Sequence, residues 1–282
     1  MAEYVITNRG DGLGARVVHL VIAARMAHVY GLKHLCCWTE KPNHCRVPMR
    51  RVVCPNRLIQ PLNPARNHGE DEIERLFGDS VYRIVNPLPG VNVEDIKETA
   101  IYCKFPVMWP WRFPNEELKT WRSELSYVAN NLIEWNYHVW KAADDFCQEH
   151  DLSDKTAVHI RRGDIERPGA PHHCRFVSNN TYFQYIEDNN LTNSIALFAE
   201  GDQAIEEFEK QYGEVLRLKH QGQQYGRHAG AIEYAMIELL IMSRCKQIIA
   251  GKSNFNQAAC LMGNIPLTIL SDRGKATQYI KD

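Results

Sequence analysis

What the chain lacks narrows it first. No run of 18 apolar residues occurs; VVHLVIAARMAHV, the greasiest stretch near the start, is broken by His19, Arg25 and His28, so no membrane-spanning helix is expected. The chain opens Met-Ala-Glu into an apparent strand, with neither a basic n-region nor an apolar h-region, which predicts a cytoplasmic protein. Charge of one sign is missing too: 33 Lys and Arg against 34 Asp and Glu leave a formal net charge of −1. No global basic field exists to hold nucleic acid, so any anion site has to be local. Nine cysteines, an odd number, lie scattered without a frame, which suits reduced thiols better than a disulfide scaffold. The clusters His34-x-Cys36-Cys37, His44-Cys45 and His172-His173-Cys174 lack the C-x2-C spacing of structural zinc and read as buried or loop thiols, with no metal site. Two glycosylation sequons, Asn179-Asn180-Thr181 and Asn190-Leu191-Thr192, are inert in a cytosolic protein. No Asp-x-Asp pair stands near a strand end.

What is present is alternation. Residues 3–8 read as a strand, RGDGLG as a loop, Ala15–Tyr30 as a helix and LKHLCCW as the next strand, the usual entry of a doubly wound α/β lobe. Between 41 and 114 Pro, Asn and Arg are frequent, with short strands expected around 81–85 and 100–104, whereas 115–150 reads as one long helix or two. After Asp151 the pattern turns regular: strand TAVHI, a helix capped by Ser178, strand SIALFAE, a helix that Asp202 could cap, strand VLRL, the apolar helix AGAIEYAMIELLIMSRC, strand QIIAG, helix Ser253–Gly263 and a final strand PLTIL. Strands alternating with helices predict a parallel sheet with right-handed crossovers. The lobe boundary is placed near 150, giving lobes 1–150 and 151–282.

In an open parallel sheet ligands sit beyond the carboxyl ends of the strands, and four loops leaving such ends carry chemistry. Gly10-Asp11-Gly12-Leu13-Gly14 lets backbone approach a phosphate or sugar, or is a tight turn; Ala15 and Val17 keep it from being a full G-x-G-x-x-G. His159-Ile160-Arg161-Arg162-Gly163-Asp164 sends His159 and Arg161 to one face of a strand. Two guanidinium forks can neutralise a diphosphate, unless Arg162 and Asp164 form a structural pair. Glu200-Gly201-Asp202 offers a carboxylate to a base or ribose, or a helix cap. Gly251-Lys252-Ser253-Asn254-Phe255-Asn256 opens a helix whose N–H groups and serine can take an anion, or be closed by Ser253.

These motifs resemble those of the GDP-fucose-dependent fucosyltransferases: the α1,2 and α1,6 enzymes and the protein O-fucosyltransferases. His159–Asp164 is similar to their H-x-R-R-G-D, and Gly201-Asp202 matches in part an aspartate pair after a strand. The closest likeness is ELLIMSRCKQIIAGKSNFNQAACL, 238–261, which resembles the α1,2 pattern of an acid before L-M-S-x-C-K, a strand, then S-x-F-S before a helix. Ala15-Arg16 stand where the α1,2 enzymes have Asn-Gln, Gly201 replaces the first acid of the pair, and Asn256 replaces Ser.

The resemblance implies an α/β fold of GT-B type, two Rossmann-like lobes facing a central cleft, and inverting, metal-independent transfer of L-fucose from GDP-fucose to a glycan hydroxyl. It implies no cofactor beyond the donor, and as partners a GDP-sugar and a glycan acceptor. Arg161 and Arg162 would face the diphosphate with His159 beside them, Asp202 the base or ribose, and Ser253, Asn254 and Phe255 the phosphate side. Gly12, Leu13, Gly14 and Asp164 complete the expected donor-binding set. For the general base, Asp11 in the glycine loop is expected to face the acceptor, with Asp164 and Glu166 as alternatives. Another nucleotide sugar on the same fold, or a silent nucleotide- or glycan-binding protein, are the competing readings.

Overall fold

The run YVITNR forms β1 (Tyr4–Arg9). Val5 turns to one face and Ile6 to the other, and both are fully buried, as befits the centre of a parallel sheet covered on both sides. The chain, a computed structural model, is described here at residues 2–9, 12–38, 48–62, 69–84, 93–103, 115–162, 165–166, 169, 175–218, 229–274 and 276–280. It divides into two compact units, 1–140 with 226–236 and 141–225 with 237–282.

In the first unit β1 is followed by α1 (Leu13–Tyr30), β2 (Lys33–Trp38), β3 (Ile59–Pro61), α2 (Gly69–Phe77), β4 (Val81–Ile84), β5 (Ala100–Cys103) and α3 (Asn115–Asn131). The sheet order is β3-β2-β1-β5-β4, with every pairing parallel. The helix α1 is buried continuously from Leu13 to Ala27, polar residues included. Among these, Arg25 pairs with Glu124 and lies 3.7 Å over the Trp121 ring. Gly31, at φ 67°, ends the helix in the left-handed conformation that glycine adopts without strain. The helical stretch 115–150 is two helices, α3 and α4 (Tyr137–Glu149). Asn136 separates them by accepting the His138 N–H at 3.0 Å as an N-cap.

The second unit continues with β6 (Thr156–Ile160), α5 (Asn179–Asp188), β7 (Ile195–Ala199), α6 (Asp202–Tyr212), α7 (Ala229–Met242), β8 (Gln247–Ala250), α8 (Asn254–Gly263), β9 (Leu267–Ile269) and β10 (Thr277–Ile280). Its sheet runs β10-β9-β8-β6-β7, parallel except for the antiparallel β10. Two details depart from expectation. VLRL does not form a strand; it makes one bridge, Leu216 to Ala196. PLTIL is not the last strand, because β10 adds an edge. The apolar α7 changes hands: its residues to Met236 group with the first unit and those from Ile237 with the second. Close packing of α8 on the turn after α7 needs Gly263, where a Cβ would lie 2.0 Å from the Ser243 carbonyl oxygen.

The expected α/β class, with two Rossmann-like units, is the one the chain adopts. No helix among the described residues is long and apolar enough to cross a membrane.

Candidate functional site

In the second unit the carboxyl ends of β6, β7 and β8 gather most of the expected residues. β6 lies between β8 and β7, and the register sets His159 against Ala250 on one side and Phe198 on the other. The His159 ring stacks on Phe255, with centroids 5.1 Å apart and planes 25° apart. Burial, and behind it the charge of Arg161, pushes its pKa down to about 3 against a smaller opposing pull from Asn256. The imidazole is therefore neutral at pH 7, and its buried Nδ1 has no hydrogen-bond partner.

The two adjacent arginines differ sharply. Arg161 is half-buried. Arg162 is only 8% exposed, and its guanidinium is taken up by the protein. Nη1 donates to the carbonyls of Arg161 and Val177, both at 3.0 Å, and Nη2 donates to Asn179 Oδ1. The group also lies 4.8 Å over the Phe176 ring. Burial lowers the Arg162 pKa, while Tyr182, Glu166, Glu207 and Asp272 pull the other way. The backbone N–H of Arg162 donates to Glu200 Oε2 at 3.2 Å, which occupies that strand-end carboxylate within the fold.

At the end of β7, Gly201 and not Asp202 holds the cap position of α6, with φ 101° and no side-chain cap. Asp202 is the exposed first residue of the helix, so the capping role considered for it is not the one it plays. An acid at 201 would be strained by that positive φ, which accounts for the half-formed aspartate pair. At the end of β8, Ser253 does cap: its Oγ accepts the Phe255 N–H at 3.1 Å. Asn254 starts α8 with a buried Oδ1 that lacks a partner.

Sequence reasoning missed the residues that hold these ends together. Tyr182 Oη accepts the Gly251 N–H at 2.9 Å and donates to the His159 carbonyl at 3.1 Å. Asn256, fully buried, donates from Nδ2 to the Gly251 carbonyl at 2.7 Å. Asp272 accepts the Ser178 N–H at 3.0 Å and the Thr181 hydroxyl at 2.6 Å, placing a carboxylate at the start of α5. Asn179 also donates to Glu207 at 2.6 Å, so the first sequon's asparagine is committed inside the fold. No local pattern marks the partners of Tyr182 and Asp272, which are distant in sequence and meet them only through α5 and the β9–β10 turn, whereas Asn256 bonds Gly251 five residues before it.

In the first unit Gly12 is the exposed residue before α1, with φ −63°, no side-chain cap and open space where a Cβ would sit. Leu13 and Gly14 are buried in the helix start, Leu13 as a core side chain. His34 and Cys36 lie on the face of β2 opposite Cys37. His34 Nε2 meets Thr7 Oγ1 at 2.8 Å, and burial drives the His34 pKa down to about 3 and the Cys36 thiol up to about 12. Among the described residues no group of three His, Cys, Asp or Glu is placed to hold a metal ion. Asp11, Gly163, Asp164, His44-Cys45 and His172-His173-Cys174 lie outside the described residues.

Two parallel-sheet units with ligand-type loops at their strand ends define a GT-B-like α/β protein. No protein-family model matches the sequence, and neither does any curated protein. Solved structures do. The chain is similar to the α1,6-fucosyltransferase NodZ soaked with GDP-fucose, at TM-score 0.65 and 16% identity over 99% of both chains. It is likewise similar to fucosyltransferase NodZ from Bradyrhizobium, at TM-score 0.63 and 15% identity over 99% of both chains. A point mutant of Arabidopsis thaliana FUT1 in complex with GDP aligns at TM-score 0.57 and 15% identity, over 96% of this chain and 71% of that one. At such identities the likeness is one of fold.

Proposed function

We propose that the chain is a glycosyltransferase that moves L-fucose from GDP-fucose to a glycan hydroxyl, inverting the donor's β linkage to α. The observation that carries this reading is that HIRRGD and the MSRCK–SNF stretch, far apart in sequence, end on neighbouring strands with His159 stacked on Phe255. Motifs that resemble one family in sequence thus meet where a parallel sheet binds nucleotides. The structural neighbours bound to GDP-fucose and GDP favour that donor. The α1,2 likeness of the 238–261 stretch remains a feature of the sequence alone.

In the proposed transfer the acceptor oxygen bonds the anomeric carbon as the bond to the GDP oxygen breaks. The electron pair leaves with the diphosphate, and a base takes the acceptor proton. Charge therefore grows on the diphosphate, and cations already in place lower that barrier without reorganising. Arg161 supplies the direct contact. Arg162 adds positive charge from behind and fixes the peptide from which Arg161 extends, through the bond to the Arg161 carbonyl. His159, Asp202, Ser253, Asn254 and Phe255 complete the proposed donor set on this unit; Gly12, Leu13, Gly14 and Asp164 are the further donor residues that the resemblance implies, and Asp11 is the proposed base. The two arginines stand in for a divalent ion, which makes the reaction metal-independent.

The test is GDP release from GDP-fucose, measured with and without a panel of glycans. Acceptor-dependent release supports the reading. Release from a different sugar nucleotide replaces the donor, and a protein whose melting temperature rises with GDP but which never releases GDP is a binder.

A further inference from the structure

We propose that Tyr182 is a positioning residue of this site, whose hydroxyl fixes the spacing between the ends of β6 and β8. The inference rests on the donor reading above.

Tyr182 lies in the first turn of α5 and is 1% exposed, with its ring edge-on to Phe208 at 6.4 Å. It is buried too deeply to reach a ligand. Its hydroxyl is used fully in both directions, donating to the His159 carbonyl and accepting from the Gly251 N–H. Burial raises the phenol pKa, so the donating proton stays on the oxygen at any working pH. The β6–β8 register ends at His159 and Ala250, one residue short of Gly251. Beyond that point one hydroxyl does what the ladder no longer does.

Gly251 is held from its other side as well, through its carbonyl and Asn256. It has little room to move: a Cβ there would sit 3.2 Å from both the Arg175 carbonyl and Val177 Cγ2. The helix carrying Tyr182 is itself anchored, by Asp272 at Ser178 and Thr181 and by Asn179 to Arg162 and Glu207. Tyr182 thus joins the peptide behind the His159 ring to the peptide that launches Lys252–Phe255. Without the hydroxyl, a buried N–H and a buried carbonyl each lose a partner, and such groups move to find new ones. The stack of His159 on Phe255 depends on that spacing.

Tyr182→Phe keeps the ring and deletes the tie. Two readouts apply, one free of any ligand. Amide hydrogen exchange at Gly251 should speed up about tenfold or more relative to the sheet amides, the scale of one lost hydrogen bond. The GDP Kd and the donor KM should rise about tenfold, near 1.4 kcal/mol, with the acceptor KM unchanged. Tyr212→Phe is the control: it removes a hydroxyl bonded to the Phe183 carbonyl at 3.4 Å in the same core, touches neither strand end, and should bind GDP as the parent does. Faster exchange at Gly251 with a parent-like GDP Kd and donor KM overturns the positioning role, as does unchanged exchange. If the parent binds no GDP, the donor reading has failed, and the exchange measurement still reports on the tie. If Tyr182→Phe does not fold, Asn256→Leu, which frees the Gly251 carbonyl, carries the same expectations and the same refutations.

Discussion

Replacing the two neighbouring arginines one at a time should separate a structural cation from a functional one. In Arg162→Ala the carbonyls of Arg161 and Val177 and the Asn179 amide oxygen lose their donor together. Hydrogen bonds to charged groups contribute about 1.5–3 kcal/mol each, but three on one group do not add. Each buried neutral acceptor left without a donor costs about 1–3 kcal/mol, so a loss of about 3–5 kcal/mol is expected, which for a chain of this size corresponds to a melting temperature lower by roughly 6–20 °C. At half-buried Arg161 solvent screens the charge, so Arg161→Ala should change stability by less than about 1 kcal/mol. Its kcat/KM should fall at least about 100-fold, the scale of one preorganised charge lost from a transition state. Urea unfolding of both variants, beside GDP release at saturating acceptor, makes the comparison. Parent-like stability in Arg162→Ala would refute the internal role, and near-normal turnover in Arg161→Ala would refute the contact with the diphosphate.

Three further outcomes are expected. Turnover should survive excess EDTA; loss restored only by Mg²⁺ or Mn²⁺ would contradict arginine-borne stabilisation. Asp11→Asn should keep GDP affinity while transfer falls on the order of 100-fold, and transfer at the parent rate would leave Asp11 a turn residue. For pH, His34 and His159 both titrate near 3 in the fold against 6.5 in the open chain, so the unfolded chain binds more protons between these values. Their contribution is complete above about 6.5 and is lost as pH falls toward 3, with a slope near 1.4 kcal/mol per pH unit for each group. Urea midpoints from pH 7 to 4 should show the fall, and His34→Gln should flatten it.

The alternation of the second half was legible because buried parallel strands read as apolar runs, and TAVHI, SIALFAE and QIIAG each became β6, β7 and β8. β10 was not: TQYI is a short edge strand that, among the described residues, pairs with β9 alone. VLRL has strand-like residues but only Ala196 to pair with among the described ones, so it stops at a bridge. The site divides in the same way. Residue types at strand ends pointed to His159, Arg161 and Ser253, because loop chemistry is local. Which arginine faces inward was illegible, since Val177 and Asn179 decide it from across a long connection. Tyr182 and Asp272 were hidden for the same reason, since a buried tyrosine or turn aspartate is ordinary until its partner is known; Asn256 stood out as a replacement for Ser, but its bond to Gly251 did not.

The central claim is a site for GDP, and a thermal-shift panel of GDP, UDP, ADP and CMP tests it most directly. At 100 times its Kd a ligand stabilises by about 2.7 kcal/mol, which raises the melting temperature by roughly 5–10 °C in a chain of this size. The account predicts that shift for GDP and little for the other three at equal concentration. Equal shifts from all four, or a larger one from UDP, would contradict it.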